Sequence, residues 1–247
     1  MADLGALRGY VVTHASNLGF GEGSGNYPRL PEFDLFPRDY LTAAEQDFAA
    51  SRTASGKRQI ISRNACVGHL KQALECAVDV FLGVFGLYKV SEKRNLTLEN
   101  KLSFLESVDV ATARSLRRLN TARNKIEHDY AAPDVPDLEL YLDLVTTFVA
   151  MLERSTLLAK YSDVAFMLID EYGNDLDAGV AFTYDFEKPS LTFEWGDGFR
   201  EGNITVSPLT DHDVFAEAFK IMLLLIQLDH FVSAGYVSTA LSDTSGA

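Results

Sequence analysis

Arg123, Asn124, His128 and Tyr130 place a permanent cation, an amide, an imidazole and a phenol within the eight residues Arg123-Asn124-Lys125-Ile126-Glu127-His128-Asp129-Tyr130. A guanidinium grips paired anionic oxygens with two parallel hydrogen bonds. An imidazole takes up and returns a proton near neutral pH. Together the two groups supply what phosphodiester cleavage needs when no metal takes part: a cation on the phosphate and a proton moved at a neighbouring hydroxyl. The stretch closes a run from Ala111 to Ile126 that holds five basic residues, Arg114, Arg117, Arg118, Arg123 and Lys125, and no acidic one.

Ordinary helix electrostatics uses the same residue types. Glu127 follows Arg123 by four and Asp129 follows Lys125 by four, the spacing of surface ion pairs. His128 near a helix C-terminus also offsets the helix dipole. Against that reading stands one stripe, Arg117, Asn120, Asn124 and His128, stepping by three or four along one side. It is rich in hydrogen-bonding groups, not merely charged. On an ideal helix Arg123 and His128 lie about 140° apart, at about 100° per residue. They meet if the helix ends near Glu127, or if a second copy of the chain supplies the partner group.

The elements that must position this stretch are helical. Asp39–Ala54 shows apolar spacing at Leu41, Ala44 and Phe48, with Asp39 as an acidic cap and Gly56 as a stop. Lys57–Lys89 reads as one long core helix ending near Gly86. Thr97, Leu98, Leu102, Phe104 and Leu105 predict a shorter helix. Val108–Asp129, with Asp109 as its cap, carries the basic run. After Pro133 and Pro136, Asp137–Tyr161 resumes the pattern. Long helices with short connections predict an antiparallel bundle over residues 38–160.

From residue 161 the period changes to two. Asp163–Asp170, Gly179–Phe186, Ser190–Trp195 and Asn203–Val206 predict four strands in an antiparallel meander, separated by Gly-, Asn- and Pro-bearing turns. A helix over about Asp211–Ser233 follows, completing an α+β portion over 161–236, and residues 237–247 read as a flexible tail. Residues 1–37 read as an irregular arm in which Gly19, Gly21, Gly23 and Gly25 alternate; no Gly-Lys-Ser/Thr follows them, so they are not a phosphate loop. Tyr10-Val11-Val12-Thr13 is a candidate short strand. The expected fold is thus mainly α, a helical bundle followed by a smaller α+β portion with a meander and a C-terminal helix.

The formal net charge is -13, unevenly spread. Residues 1–160 carry 19 Lys+Arg against 20 Asp+Glu, and residues 161–247 carry 3 against 15. The basic helix therefore lies in a nearly neutral region, and local potential is what guides a polyanion. The acidic third reads as a solubilising surface, with docking of a partner or competition with a polyanion as alternatives. Cys66 and Cys76 are ten helical residues apart, about 15 Å, too far for a disulfide. The apolar runs Ala77–Tyr88 and Ile221–Leu228 are too short to span a bilayer, and no signal-like segment opens the chain. These features predict a cytoplasmic location and no membrane partner.

Other residues point to less. His14, His69, His212 and His230 lack metal-ligand neighbours at helical spacing, and no Cys/His cluster has zinc spacing. Asp170, Asn174, Asp175 and Asp177 crowd one turn without the calcium-loop pattern. No metal and no cofactor are expected.

Arg123-Asn124, three residues, His128, one residue and Tyr130 resemble the Arg-x4-6-His signature of the HEPN family of helical-bundle proteins, and the Tyr resembles the variant found in HEPN toxins paired with a nucleotidyltransferase antitoxin. The resemblance covers roughly residues 38–160. It implies a homodimer whose interface forms a metal-independent endoribonuclease acting through the 2′-hydroxyl, so that DNA is a poor substrate. It also implies a toxin or defence role with an antitoxin or other regulatory protein as partner. Arg123 would then stabilise the scissile phosphate and His128 act as general base or acid. Asn124 would orient one of them, and Tyr130 would support the site or receive a modifying group. Arg114, Arg117, Arg118 and Lys125 would bind flanking RNA. The alternative is a non-catalytic bundle of the same family, a binding or scaffold module for a nucleotide or a protein.

Overall fold

Helical spacing in the first half of the chain and alternation in the second produce a mixed α+β protein. Its structure, a computed structural model, describes residues 3–25, 29–111, 114, 117, 135–228 and 230–242. In chain order the elements are α1 (Leu4–His14), β1 (Leu18–Ser24), α2 (Pro37–Thr53), α3 (Lys57–Val84), α4 (Tyr88–Lys93), α5 (Leu98–Ser107), α6 (Val135–Ser155), β2 (Asp163–Ile169), β3 (Asp175–Asp185), β4 (Ser190–Asp197), β5 (Gly202–Val206), α7 (His212–Gln227) and α8 (Ala234–Ser242). They form two units. One joins Met1–Pro28 to Leu158–Ala247; the other is Arg29–Leu157.

The helical unit is built on α2, α3 and α6. Pro37 opens α2, where its missing N–H costs nothing, and the Asp39 carboxylate accepts from the Phe36 N–H at 2.8 Å. Leu41, Ala44 and Phe48 are buried on α2, and Leu70, Leu74, Val78 and Phe81 on α3. Leu138, Val145, Val149 and Leu152 bury the matching face of α6. Gln59 near the start of α3 donates to the Ser51 carbonyl near the end of α2, while Arg38 near the start of α2 pairs with Glu153 near the end of α6. Both neighbours therefore run antiparallel to α2.

The long helix ends near Gly86, as expected, and Tyr88–Lys93 at the end of the apolar segment forms the separate α4. Gly86 adopts a left-handed conformation, and the N–H groups of Gly86 and Leu87 close back onto the Gly83 and Leu82 carbonyls. Asp109 is not the N-cap of a new helix. Its φ of 60° belongs to the turn that ends α5, with the Val110 N–H returned to the Leu105 carbonyl.

The other unit holds a five-stranded antiparallel sheet in the order β1-β2-β3-β4-β5. The four expected strands form the meander, with β3 starting earlier, at Asp175. Val164, Phe166, Val180, Phe182, Leu191, Phe193 and Trp195 are buried along it. The Tyr184 ring meets Phe219 of α7 edge-on, at 5.9 Å between centroids.

Residues 1–37 are not an irregular arm throughout. Leu4, Leu7, Val11 and Ala15 recur at helical spacing and are buried, so Tyr10–Thr13 is helix, not strand. β1 supplies the fifth strand, pairing with β2 and shifting register between Phe20 and Glu22. Its glycines are steric: a Cβ on Gly19 would lie 2.1 Å from the Ile169 side chain, and one on Gly21 2.6 Å from Met167. At the other terminus, α7 ends at Gln227, and the expected flexible tail begins instead inside α8, whose Val237 and Leu241 are fully buried. Lys220 of α7 donates to the Ala240 carbonyl at 2.8 Å, satisfying an acceptor in the last turn of α8. Among the described residues, no helix is long and apolar enough to cross a membrane.

Candidate functional site

The basic run lies between α5 and α6 in the sequence, within the helical unit. The Thr97 hydroxyl caps α5 by accepting from the Asn100 N–H, and Leu102, Phe104 and Leu105 anchor the helix in the core. Lys101 holds α5 to α3 through a part-buried 2.6 Å ion pair with Asp79. The turn at Val108 and Asp109 then redirects the chain. Pro136 falls in the first turn of α6, a place its missing donor allows.

Arg114 and Arg117 are helical and exposed, and their separation of three places them on neighbouring positions of one helical face. The Arg117 guanidinium pairs with Glu106 of α5 at 2.5 Å and reaches the Ser103 hydroxyl at 3.5 Å. Arg118, Arg123, Asn124, Lys125, His128 and Tyr130 lie outside the described residues, as do Asn120, Glu127 and Asp129. The structure thus places two of the eight expected site residues, both on the RNA-binding side of the expectation.

The division of charge follows the units. Arg29–Leu157 holds 17 Lys+Arg against 18 Asp+Glu, while the sheet unit holds 5 against 17. The basic run accordingly belongs to a unit of net charge -1, and the acidic excess of -12 to the other.

Two ionisable groupings were not legible as sequence motifs. The first surrounds Asp79. Burial pushes its carboxyl above the ordinary carboxylate range, Lys101 opposes that rise, and Glu75 and Glu92 reinforce it. One turn earlier, burial and the Asp79 charge push the Cys76 thiol up to about 11. Burial also raises Tyr88 of α4, helped by Glu92. The second joins Asp47 of α2 to His69 Nδ1 of α3 at 2.8 Å. Beside it burial and Asp47 push the Cys66 thiol up to about 12. Both thiols are therefore held protonated and are poor nucleophiles near neutral pH. Each pair links residues 22 positions apart on different helices, so no spacing within one helix announces it.

Elsewhere the chemistry is structural. Asp170 accepts from the Asn174 side-chain amide and from the Asn174 and Tyr172 N–H groups, which lowers its pKa and closes the β2–β3 turn. Among the described residues no group of three or more His, Cys, Asp or Glu side chains could hold a metal ion. An open groove of about 580 Å³ at the α2–α3 turn is lined by Thr53, Ser55, Arg58, Ile61 and Ser62, with no acid–base pair among its lining residues. No family model, curated protein or solved structure matches the chain.

Proposed function

We propose that the chain is a metal-independent endoribonuclease of HEPN type. The observation that carries this reading is Arg123 and His128, five apart, at the end of a basic run without an acid. The exposure of Arg114 and Arg117 and the near-neutral charge of their unit support it.

In this reading Arg123 holds the two non-bridging oxygens of a phosphodiester and stabilises the charge that grows there during attack. His128 accepts the proton of the adjacent 2′-hydroxyl, whose oxygen attacks phosphorus. The bond to the 5′-oxygen breaks, that oxygen takes a proton from water, and the imidazolium returns its own proton to solvent. The products are a 2′,3′-cyclic phosphate and a 5′-hydroxyl. Asn124 orients the imidazole or the phosphate, Tyr130 supports the site, and Arg114, Arg117, Arg118 and Lys125 hold flanking phosphates. A role as a toxin or defence effector under the control of an antitoxin or other regulator goes with this reading.

The purified chain should cut RNA in excess chelator, leave DNA intact and yield cyclic-phosphate ends. Arg123→Ala and His128→Ala should each lower the rate by at least about 100-fold, the usual loss for a group acting in proton transfer or charge stabilisation. Absence of cutting by the parent, or equal cutting by all three proteins, would sink the nuclease reading. Binding of RNA without cutting would instead identify a non-catalytic binding module.

A further inference from the structure

Resting on that reading, we infer that Glu106 is a built-in competitor for the RNA-binding face: its carboxylate occupies Arg117 until a phosphate displaces it. Glu106 and Ser103 are three apart on α5 and so share one side of that helix. Both turn toward the same guanidinium nitrogen, at 2.5 Å for the carboxylate and 3.5 Å for the hydroxyl.

A carboxylate and a phosphodiester offer a guanidinium the same thing, paired anionic oxygens at matching spacing. The two therefore exclude one another at the Arg117 edge that Glu106 holds. Glu106 has the advantage of tethering: α5 is anchored by Leu102 and Leu105 and pinned by Lys101, so the carboxylate stays within reach of Arg117 at a high local concentration.

The contact is also built to yield. The two side chains keep 48% and 44% of their exposure, so water and salt screen the pair. An exchange of this kind sets a threshold. An RNA that engages the rest of the basic run gains Arg117 by displacing Glu106, whereas a weakly held strand leaves the pair intact. Glu106 thereby lowers affinity for every strand and does so most visibly at low salt, where phosphate contacts are strongest.

The test is a binding titration of a fluorescent single-stranded RNA by anisotropy, with the full chain carrying His128→Ala in every arm so that the strand is not cut. Glu106→Gln keeps the shape and removes the charge. It should tighten binding by about two- to fivefold, the range set by an exposed ion pair. Arg117→Ala should weaken binding by a similar factor, and adding Glu106→Gln to it should restore little. Glu99→Gln, an exposed carboxylate on the same helix outside the pair, should change binding less than Glu106→Gln. Equal or weaker binding by Glu106→Gln, or the same gain with Arg117 absent, overturns the competition while leaving RNA recognition standing. Binding in no arm removes the RNA reading and this inference with it.

Discussion

Asp79 interrupts an apolar run, and its surroundings set a clear thermodynamic sign. Burial raises its pKa more than Lys101 at 2.6 Å lowers it, and Glu75 and Glu92 add to the rise. The folded chain therefore binds this proton more tightly than the unfolded chain, whose carboxylate titrates near about pH 4. The stabilisation linked to Asp79 is fully present below that value and is lost as pH rises through the folded pKa. Asp79→Asn should accordingly flatten the fall in melting temperature above about pH 4 and leave stability at pH 7 equal or higher. Lys101→Met should do the reverse, leaving a half-buried carboxylate without its cation and lowering stability at pH 7 by about 1–3 kcal/mol. Urea unfolding of the three proteins at pH 4 and pH 7 measures both effects. A loss in Asp79→Asn that grows toward pH 7 would show that the ion pair outweighs the burial penalty. Asp79 was visible in the sequence as a charge in the wrong place, but its cation was not. Lys101 stands on another helix, and only the packing of α5 against α3 brings the pair together.

At the level of elements, the N-terminal segment is the clearest departure from expectation. Leu7 and Val11 are completely buried, and the Arg8 guanidinium bonds Glu217 of α7 at 3.0 Å, so α1 belongs to the core of the sheet unit. Leu7→Ala should lower stability by about 2–4 kcal/mol, the usual effect of emptying a buried leucine site. An unchanged urea midpoint would mean that α1 is only laid against the surface. The helices α2, α3, α5 and α6 could be read because their own periodicity encodes a buried face, and strands β2 to β5 because alternation and turn residues recur locally. β1 could not be read that way. Its alternating glycines carry no side-chain pattern, and its partner β2 lies some 145 residues on, so only the paired register reveals that Gly19 and Gly21 make room for Ile169 and Met167. Likewise α8 looks like a tail of small residues until Val237 and Leu241 find their burial. The candidate site shows the same limit: spacing marks Arg114 and Arg117 as neighbours on a helix, but only tertiary packing supplies Glu106 and Ser103.

For the molecule as a whole, the proposed chemistry turns on an angle. An intact helix would set Arg123 and His128 about 140° apart, so one chain would present them in different directions unless the helix ends near Glu127. In the proposed two-fold dimer, the interface would bring each motif against its own copy and let Arg123 of one chain serve His128 of the other. The acidic excess belongs to the sheet unit, and the basic run lies in a unit of net charge -1; two such runs, each with five cations and no anion, would repel until a polyanion lies between them. If the site is shared, Arg123→Ala and His128→Ala proteins, each inactive alone, should regain activity when mixed and allowed to exchange subunits. Random exchange makes about half the dimers mixed, and each mixed dimer carries one intact site of two, so recovery should approach roughly a quarter of the parent rate. Specific activity should also fall on dilution through the dissociation range. A mixture that stays inactive although sedimentation shows mixed dimers would place both groups in one chain, and would require the helix to end before His128. A chain that sediments as a monomer at micromolar concentration while still cutting RNA would remove the shared site altogether.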